Sequence, residues 1–563
     1  MTDAVPAQPA VPGEAAVPGE PAVGAEPAVP AGRGEPAGDD GPVGEADEGG
    51  APWWRSSVCY EIYPRSFADS NGDGQGDLEG IRQRLDHLSW LGVDAIWICP
   101  FFPSPMADNG YDITDFCAID PRYGTLEDFD RLLADAHRRG IRLLVDWVPN
   151  HTSDRHPWFV ESSSGRSAAK RDWYYWRDEP NNWRAALGNG SAWALDEATD
   201  QYYLHYFLPA QPDLNWYNDD VVDAMLDTVR FWLDRGVDGL RIDSATCLGK
   251  DLTFADDDRS LGGMPVAAFT DGPRNHEVLR QVRAVADSYP GQRVLVGEVD
   301  IRTEAAVISY YGDGHELELC FNFPPLDAPW DPIVWRDVIT AVESRLGPAH
   351  AWPVWTMATH DSPRVRSRYG SLARARAAAV LVLLTLRGTV FVYQGEELGL
   401  CDLDPCAGKG NDPGGRDRSR GPIPWGPQAP HGWPGATTWL PFPPDSGTDD
   451  VATQHADPGS IAALYRRLIR IRAASAALRY GTWSDLDPAK GMLGYRRALG
   501  DEQWAVLINF SDQPKSVPLD GDWEVRVDSR AYQGRPDMDR YPDARYMGQV
   551  EPDQALLLSL GPR

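Results

Sequence analysis

Four short stretches set acidic, histidine and arginine side chains at the ends of apolar runs. They are Asp146-Trp-Val-Pro-Asn-His151, Gly239-Leu-Arg241-Ile-Asp243, Val296-Gly-Glu298-Val299 and Ala358-Thr-His360-Asp361. One such carboxylate reads as a helix cap or an ion-pair partner; four in one chain point to chemistry. Cleaving an acetal needs one carboxyl group that holds a proton for the leaving oxygen and one that is ionised and attacks the anomeric carbon. Arg241 precedes Asp243 by two residues, so in a strand the two side chains share a face and the guanidinium favours an ionised, nucleophilic Asp243. Glu298, between Gly297 and Val299 with fewer charges beside it, suits the raised pKa of an acid/base. Asp361 is left to hold sugar hydroxyls, with His151 and His360 donating to others.

These groups can meet only if the runs that carry them lie side by side. Eight apolar runs recur after Trp53: 58–67, 93–100, 141–148, 239–243, 294–299, 317–323, 354–360 and 390–394. Between them lie segments of helical period at 78–91, 126–139, 221–235, 277–288, 334–346 and 372–386, with a last one at 460–474. Buried strands alternating with helices predict an α/β chain built as a (β/α)8 TIM barrel, in which strand C-terminal ends converge on one site. The expected barrel spans 52–149 and 219–478. The Trp-, Tyr- and Asn-rich stretch 150–218, without sustained periodicity, reads as an inserted subdomain after strand 3. Alternating runs within 479–563 read as a C-terminal antiparallel β-sandwich domain. Residues 1–51, built of Pro, Ala, Gly, Val and Glu, can bury almost nothing and read as a disordered acidic tail.

The formal charge of −31 over 563 residues disfavours nucleic acid and anionic membranes and leaves a neutral ligand untouched. No apolar stretch approaches the length of a membrane span, and the N-terminus lacks a signal peptide pattern. Seven cysteines without tight pairing or metal spacing read as reduced thiols of a cytoplasmic protein. No organic cofactor is implied. The residues do not decide between a monomer and a homo-oligomer.

The four stretches resemble the conserved regions of the α-amylase superfamily, glycoside hydrolase family 13, in order and spacing. Two further segments, Gln211-Pro-Asp-Leu-Asn-Trp216 and Gly388-Thr-Val-Phe-Val-Tyr-Gln-Gly-Glu-Glu397, resemble its oligo-1,6-glucosidase and α-glucosidase group. The resemblance implies Asp243 as nucleophile, Glu298 as general acid/base and Asp361 as transition-state stabiliser, with Arg241, His151 and His360 around the sugar. It makes Tyr111 a stacking platform for the ring. Asp108 and Arg416 become a pair closing the pocket beyond the non-reducing end, and Phe207 and Gln211 stand near the entrance. A pocket so closed implies a retaining, exo-acting α-glucosidase on short, neutral α-glucosides. A transglucosidase or disaccharide isomerase of the trehalose or isomaltulose synthase type is the alternative. A non-catalytic relative is disfavoured, because such members lack part of the carboxylate set. Two departures stand out: Thr359 where the group writes Asn, and Ser244 after the nucleophile, which leaves linkage preference open.

Asp69-Ser-Asn71-Gly-Asp73-Gly-Gln75-Gly-Asp77 sets oxygen side chains at alternate positions with glycines for a tight turn, as a hard cation requires. It departs from an EF-hand loop, because Gly80 stands where that loop needs a bidentate Glu. The glucosidase resemblance implies structural Ca2+, or Mg2+, held by Asp69, Asn71, Asp73, the Gln75 carbonyl and Asp77.

Overall fold

The computed structural model describes residues 50–188, 190–257, 270–300, 304–346, 351–404, 412–435, 437–530 and 545–561. The expected tail, apart from its last two residues, and Cys406 lie outside them.

Eight strands form the frame, one on each of the eight apolar runs: β1 (Val58–Ile62), β2 (Ala95–Ile98), β3 (Arg142–Trp147), β4 (Gly239–Ile242), β5 (Val294–Gly297), β6 (Leu319–Cys320), β7 (Val354–Thr356) and β8 (Thr389–Tyr393), the last starting one residue before its run. They form one sheet in the order β7-β8-β1-β2-β3-β4-β5-β6, and every pairing is parallel. The first strand lies between the second and the last, as it does when a parallel sheet curls into a (β/α)8 barrel. All residues of β1, β2, β4, β5 and β8 are buried. Their unbroken apolar runs are what a parallel sheet covered on both faces requires.

The helices between the strands start where the sequence supplies caps. Thr125 and Asp128 make a reciprocal capping box at the start of Leu126–Arg138, whose Phe129, Leu132, Leu133 and Ala136 are buried at helical spacing. Asn218 caps Asp219–Asp234, and Ser460 caps Ile461–Ala474. Two helical expectations change in detail. The 78–91 segment splits at Arg84 (φ −106°, ψ 6°) into Leu78–Gln83 and Leu85–Leu91. The 372–386 segment is α-helical only to Ala378 and widens into π turns over Ala379–Leu383. There the Thr385 hydroxyl donates to the carbonyls of Val380 (2.7 Å) and Leu381 (3.1 Å), groups that a continuing helix would use itself.

Between β3 and β4 lies a three-stranded antiparallel sheet (Trp176–Arg177, Trp193–Asp196, Gln201–Leu204) with its own small core of Trp183, Trp193, Leu204 and Tyr206. After the last helix an antiparallel sheet of five strands orders as Thr482–Asp485, Met492–Leu499, Glu502–Asn509, Ala555–Leu560 and Trp523–Asp528, beside a two-stranded ribbon. Its strands alternate as a sheet packed on both faces must. Ala505 and Leu507 enter one apolar cluster, while Trp504, Val506 and Ile508 enter the main core.

Candidate active site

The strand ladders run one residue past β4 and β5 and so fix the carboxylates. Asp243 N–H donates to Trp147 O and Glu298 N–H to Ile242 O, both at 2.9 Å. Ser244, next in the chain, sits in the left-handed region at φ 44°, and its N–H donates to Glu298 Oε2 at 3.0 Å. A non-glycine residue held there is strain kept in place by its surroundings.

Arg241 is the hub. Its Nη1 donates to Asp243 Oδ1 (2.6 Å) and Asp146 Oδ1 (3.0 Å), and its Nη2 meets Glu298 Oε2 at 2.8 Å. The guanidinium rests 4.9 Å from the centre of the Trp97 ring. Sequence spacing assigned Arg241 to Asp243 alone and left Glu298 with few charges beside it; the structure corrects both points. Glu298 is pushed up to about 7 by burial, against the Arg241 charge, with Asp243 adding to the rise. Burial also pushes Asp243 up, Arg241 opposes it, and the Asp146 charge adds to it. Both carboxyls are therefore raised by burial and held down by the one guanidinium they share.

Asp361, beyond β7, is the most accessible of the three, with 36% of its side chain exposed. Burial of its carboxyl would raise it, but His360, Arg416 and Arg420 hold it well below the usual carboxylate range. Arg420 donates to its Oδ1 at 2.6 Å, Arg416 stands 3.4 Å from the same oxygen, and His360 Nε2 lies 3.2 Å from Oδ2. Thr359 braces this turn: its hydroxyl oxygen accepts from Asp361 N–H (3.2 Å), while its own N–H donates to Ser362 Oγ (2.8 Å).

At the far wall Arg416 pairs with Asp108 and with Asp412, the latter at 2.6 Å. Gln211 Nε2 donates to the other Asp108 oxygen (3.0 Å) and lies 2.9 Å from His151 Nε2, which is 3.2 Å from Tyr111 O. Phe207 meets the His151 ring edge-on at 5.3 Å. Burial lowers the His151 pKa, so the ring is neutral at pH 7. The Tyr111 ring lies parallel to that of His360, centroids 5.5 Å apart, and its hydroxyl donates to Asp146 Oδ2 at 3.0 Å. The structure thus brings Asp108, Tyr111, His151, Phe207, Arg241, Asp243, Glu298, His360, Asp361 and Arg416 around one cavity of about 370 Å3, with Gln211 just behind its wall.

Several functional neighbours were not singled out in sequence. Asp146 opened a stretch already read, at the β3 end, and Arg420 lies four residues past Arg416. Glu61 and Asp327 carried no local signal, because only the closed barrel brings them to the cavity or to the groups that line it, while Asp412 and Asp300 lie four residues before Arg416 and two past Glu298.

The 69–77 loop lies apart from this cavity. Gly72 and Gly74 have φ of 88° and 86°, and a Cβ on Gly74 would fall 2.2 Å from Thr437 O. Asp69 accepts from the N–H groups of Asn71, Gly72 and Gly74, and Asp77 from Ser70 and Gly80. Each carboxylate keeps lone pairs beyond these bonds, so the all-oxygen donor set fits a hard cation. The carboxylates of Asp69, Asp73 and Asp77 are spread along the loop and do not gather within 4.8 Å of one another.

The family model described as α-amylase, catalytic domain, matches residues 61–481. A probable α-glucosidase of Rhizobium meliloti (strain 1021) is 41% identical over 508 residues, 83% of this chain and 91% of the relative. An oligo-1,6-glucosidase of Parageobacillus thermoglucosidasius is 36% identical over 514 residues, 82% and 91% of the two chains. The crystal structure of the α-glucosyl transfer enzyme XgtA superposes with a TM-score of 0.81 at 38% identity, over 91% of this chain and all of the other. Among the described residues no helix is long and apolar enough to cross a membrane.

Proposed function

The chain belongs to the α-amylase family and is a glycoside hydrolase, and from that premise we propose that it is a retaining, exo-acting α-glucosidase of short, neutral α-glucosides. The observation that carries the reading is the shared guanidinium. Asp243 and Glu298 bind opposite nitrogens of Arg241 in one cavity, and Glu298, pushed up to about 7, keeps a large protonated fraction in neutral solution. In the first step an Asp243 oxygen attacks the anomeric carbon while Glu298 gives its proton to the departing glycosidic oxygen. In the second, the Glu298 carboxylate takes a proton from water, the water oxygen attacks the same carbon, and Asp243 departs. Asp361, ionised between Arg416, Arg420 and His360, holds sugar hydroxyls and stabilises the positive charge that develops at the ring.

Exo action is supported by the far wall, where Asp108, Arg416 and Gln211 interlock across one end of the pocket. A second reading, transfer to a sugar hydroxyl instead of water, is supported by the likeness to a glucosyl transfer enzyme. Incubation with concentrated maltose, isomaltose, sucrose and trehalose separates the two. Hydrolysis gives glucose as the dominant new product, whereas new disaccharides exceeding free glucose contradict it.

The 69–77 loop is proposed to hold Ca2+, or Mg2+, through Asp69, Asn71, Asp73, the Gln75 carbonyl and Asp77, bracing the turn into Leu78–Gln83. A cytoplasmic home is supported by the six described cysteines, which are all free thiols.

A further inference from the structure

Beneath Asp361 lies a carboxylate that the double displacement does not use. Glu61, on β1, is 1% exposed, and its Oε1 lies 2.6 Å from His360 Nδ1 while accepting the His360 backbone N–H at 3.1 Å. On the other side of the ring, His360 Nε2 faces Tyr111 Oη at 2.8 Å and Asp361 Oδ2 at 3.2 Å. The Tyr111 hydrogen is committed to Asp146 Oδ2, so toward His360 the phenol offers a lone pair. Asp361, ion-paired to two arginines, also only accepts. Both ring nitrogens therefore face acceptors, a pattern that a neutral imidazole with its single N–H cannot satisfy.

We propose that Glu61 is a positioning residue: its carboxylate fixes a proton on His360 Nδ1, so that the ring meets the substrate as an imidazolium with Nε2–H pointed at Asp361 and the sugar. The inference rests on the reading of this cavity as the α-glucoside site. It assigns His360 a charge as well as a hydrogen bond. A cation there supports the ionised Asp361 and donates to sugar hydroxyls, where neutral His151 can use only one nitrogen.

The surroundings weigh the same way. From β1 comes Glu61, and one residue past its end Tyr63, whose ring stacks on His360 at 5.9 Å. The end of β2 gives Trp97, edge-on at 5.9 Å, and Cys99, whose sulfur lies 3.6 Å from Nδ1. Tyr111, the Asp146 behind it, and Asp361 complete the face, and the opposing cation is Arg420, whose Nε donates to His360 O at 2.8 Å. Burial lowers the His360 pKa, but Asp361 and Glu61 together outweigh burial and Arg420, and the net direction is up. Such a group holds its proton to a higher pH than a free imidazole and loses it as pH rises past the raised value.

The test reads the ring directly. In the full chain carrying 15N-labelled histidine, the His360 signals, assigned by their loss in His360→Gln, should show both ring nitrogens protonated at neutral pH. In Glu61→Gln the His360 midpoint should fall by at least about one pH unit, a tenfold loss of proton affinity, whereas Glu61→Asp, which keeps the charge, should hold it up. Turnover of an aryl α-glucoside by Glu61→Gln should fall several-fold at neutral pH and recover toward the wild-type value as the pH is lowered. The charges bearing most on Glu298 are Arg241, Asp243 and Asp361, so its own titration should move little. A single protonated ring nitrogen in the wild-type chain, or the same midpoint in wild type and Glu61→Gln, overturns the proposal. The expected ring signals in a chain that cleaves no α-glucoside would overturn the enzyme reading and leave the Glu61–His360 assignment standing.

Discussion

The floor and the far wall of the cavity are built by different means. Asp146, Arg241, Asp243 and Glu298 stand on or one residue beyond β3, β4 and β5, where ladder hydrogen bonds fix each backbone and one guanidinium serves three carboxylates. Asp108, Gln211 and Arg416 come from loops that are far apart in sequence and interlock with each other, and Arg420, four residues past Arg416, holds Asp361. Chemistry thus rests on the rigid frame, while the choice of substrate rests on contacts that loops can exchange without disturbing it. Changes to the floor should act on kcat, and changes to the wall on KM and chain-length preference.

The largest effect should follow Asp243→Asn. Turnover of p-nitrophenyl α-glucoside should fall by about 10^4-fold or more with the melting temperature little changed. Near-normal turnover would break the assignment of the floor. Glu298→Gln should cost about 10^2- to 10^4-fold on maltose, whose leaving group needs the proton, and much less on an activated aryl glucoside. It should also abolish the alkaline limb of the pH profile. In the wild-type chain that limb should fall near pH 7: Glu298 works as an acid only while protonated, so kcat/KM should decline as pH rises through about 7. A limb near pH 9 would place the acid elsewhere.

On the wall, Arg416→Ala should raise KM for maltose by roughly 10- to 100-fold, the cost of about 1.5–3 kcal/mol for a lost charged hydrogen bond. It should also raise the relative kcat/KM for maltotetraose. Equal losses on both substrates would erase the distinction between wall and floor. The smallest effect is expected at the 69–77 loop, remote from both. Excess Ca2+ should raise the melting temperature by about 3 °C over the chelated protein and leave KM unchanged.

The floor was more legible in sequence than the wall. Apolar runs of the right number announced a parallel barrel, and the polar residues at the ends of four of them announced its C-terminal face. Asp243, Glu298 and Asp361 could therefore be named from position alone. What the runs could not give was the sharing: that Arg241 reaches Glu298 and Asp146 as well as Asp243 depends on three strands lying side by side in register. Asp108 and Arg416, 308 residues apart, carry no mutual signal of spacing and were paired only through family resemblance. Asp412 and Glu61 escaped altogether, since each acts through another side chain. The break at Arg84 and the π turns after Ala378 were invisible for a related reason. Hydrophobic period marks which face is buried, not where the backbone hydrogen-bond pattern of a helix changes.

The central claim is a covalent glucosyl ester on Asp243. Incubation with a fluorinated α-glucosyl fluoride that accumulates the intermediate, followed by proteolysis and mass spectrometry, tests it most directly. The sugar should be found on the peptide carrying Asp243 and be released on dilution into maltose. Label on a different carboxylate, or release of β-glucose from an α-glucoside with no labelled peptide, would contradict the account.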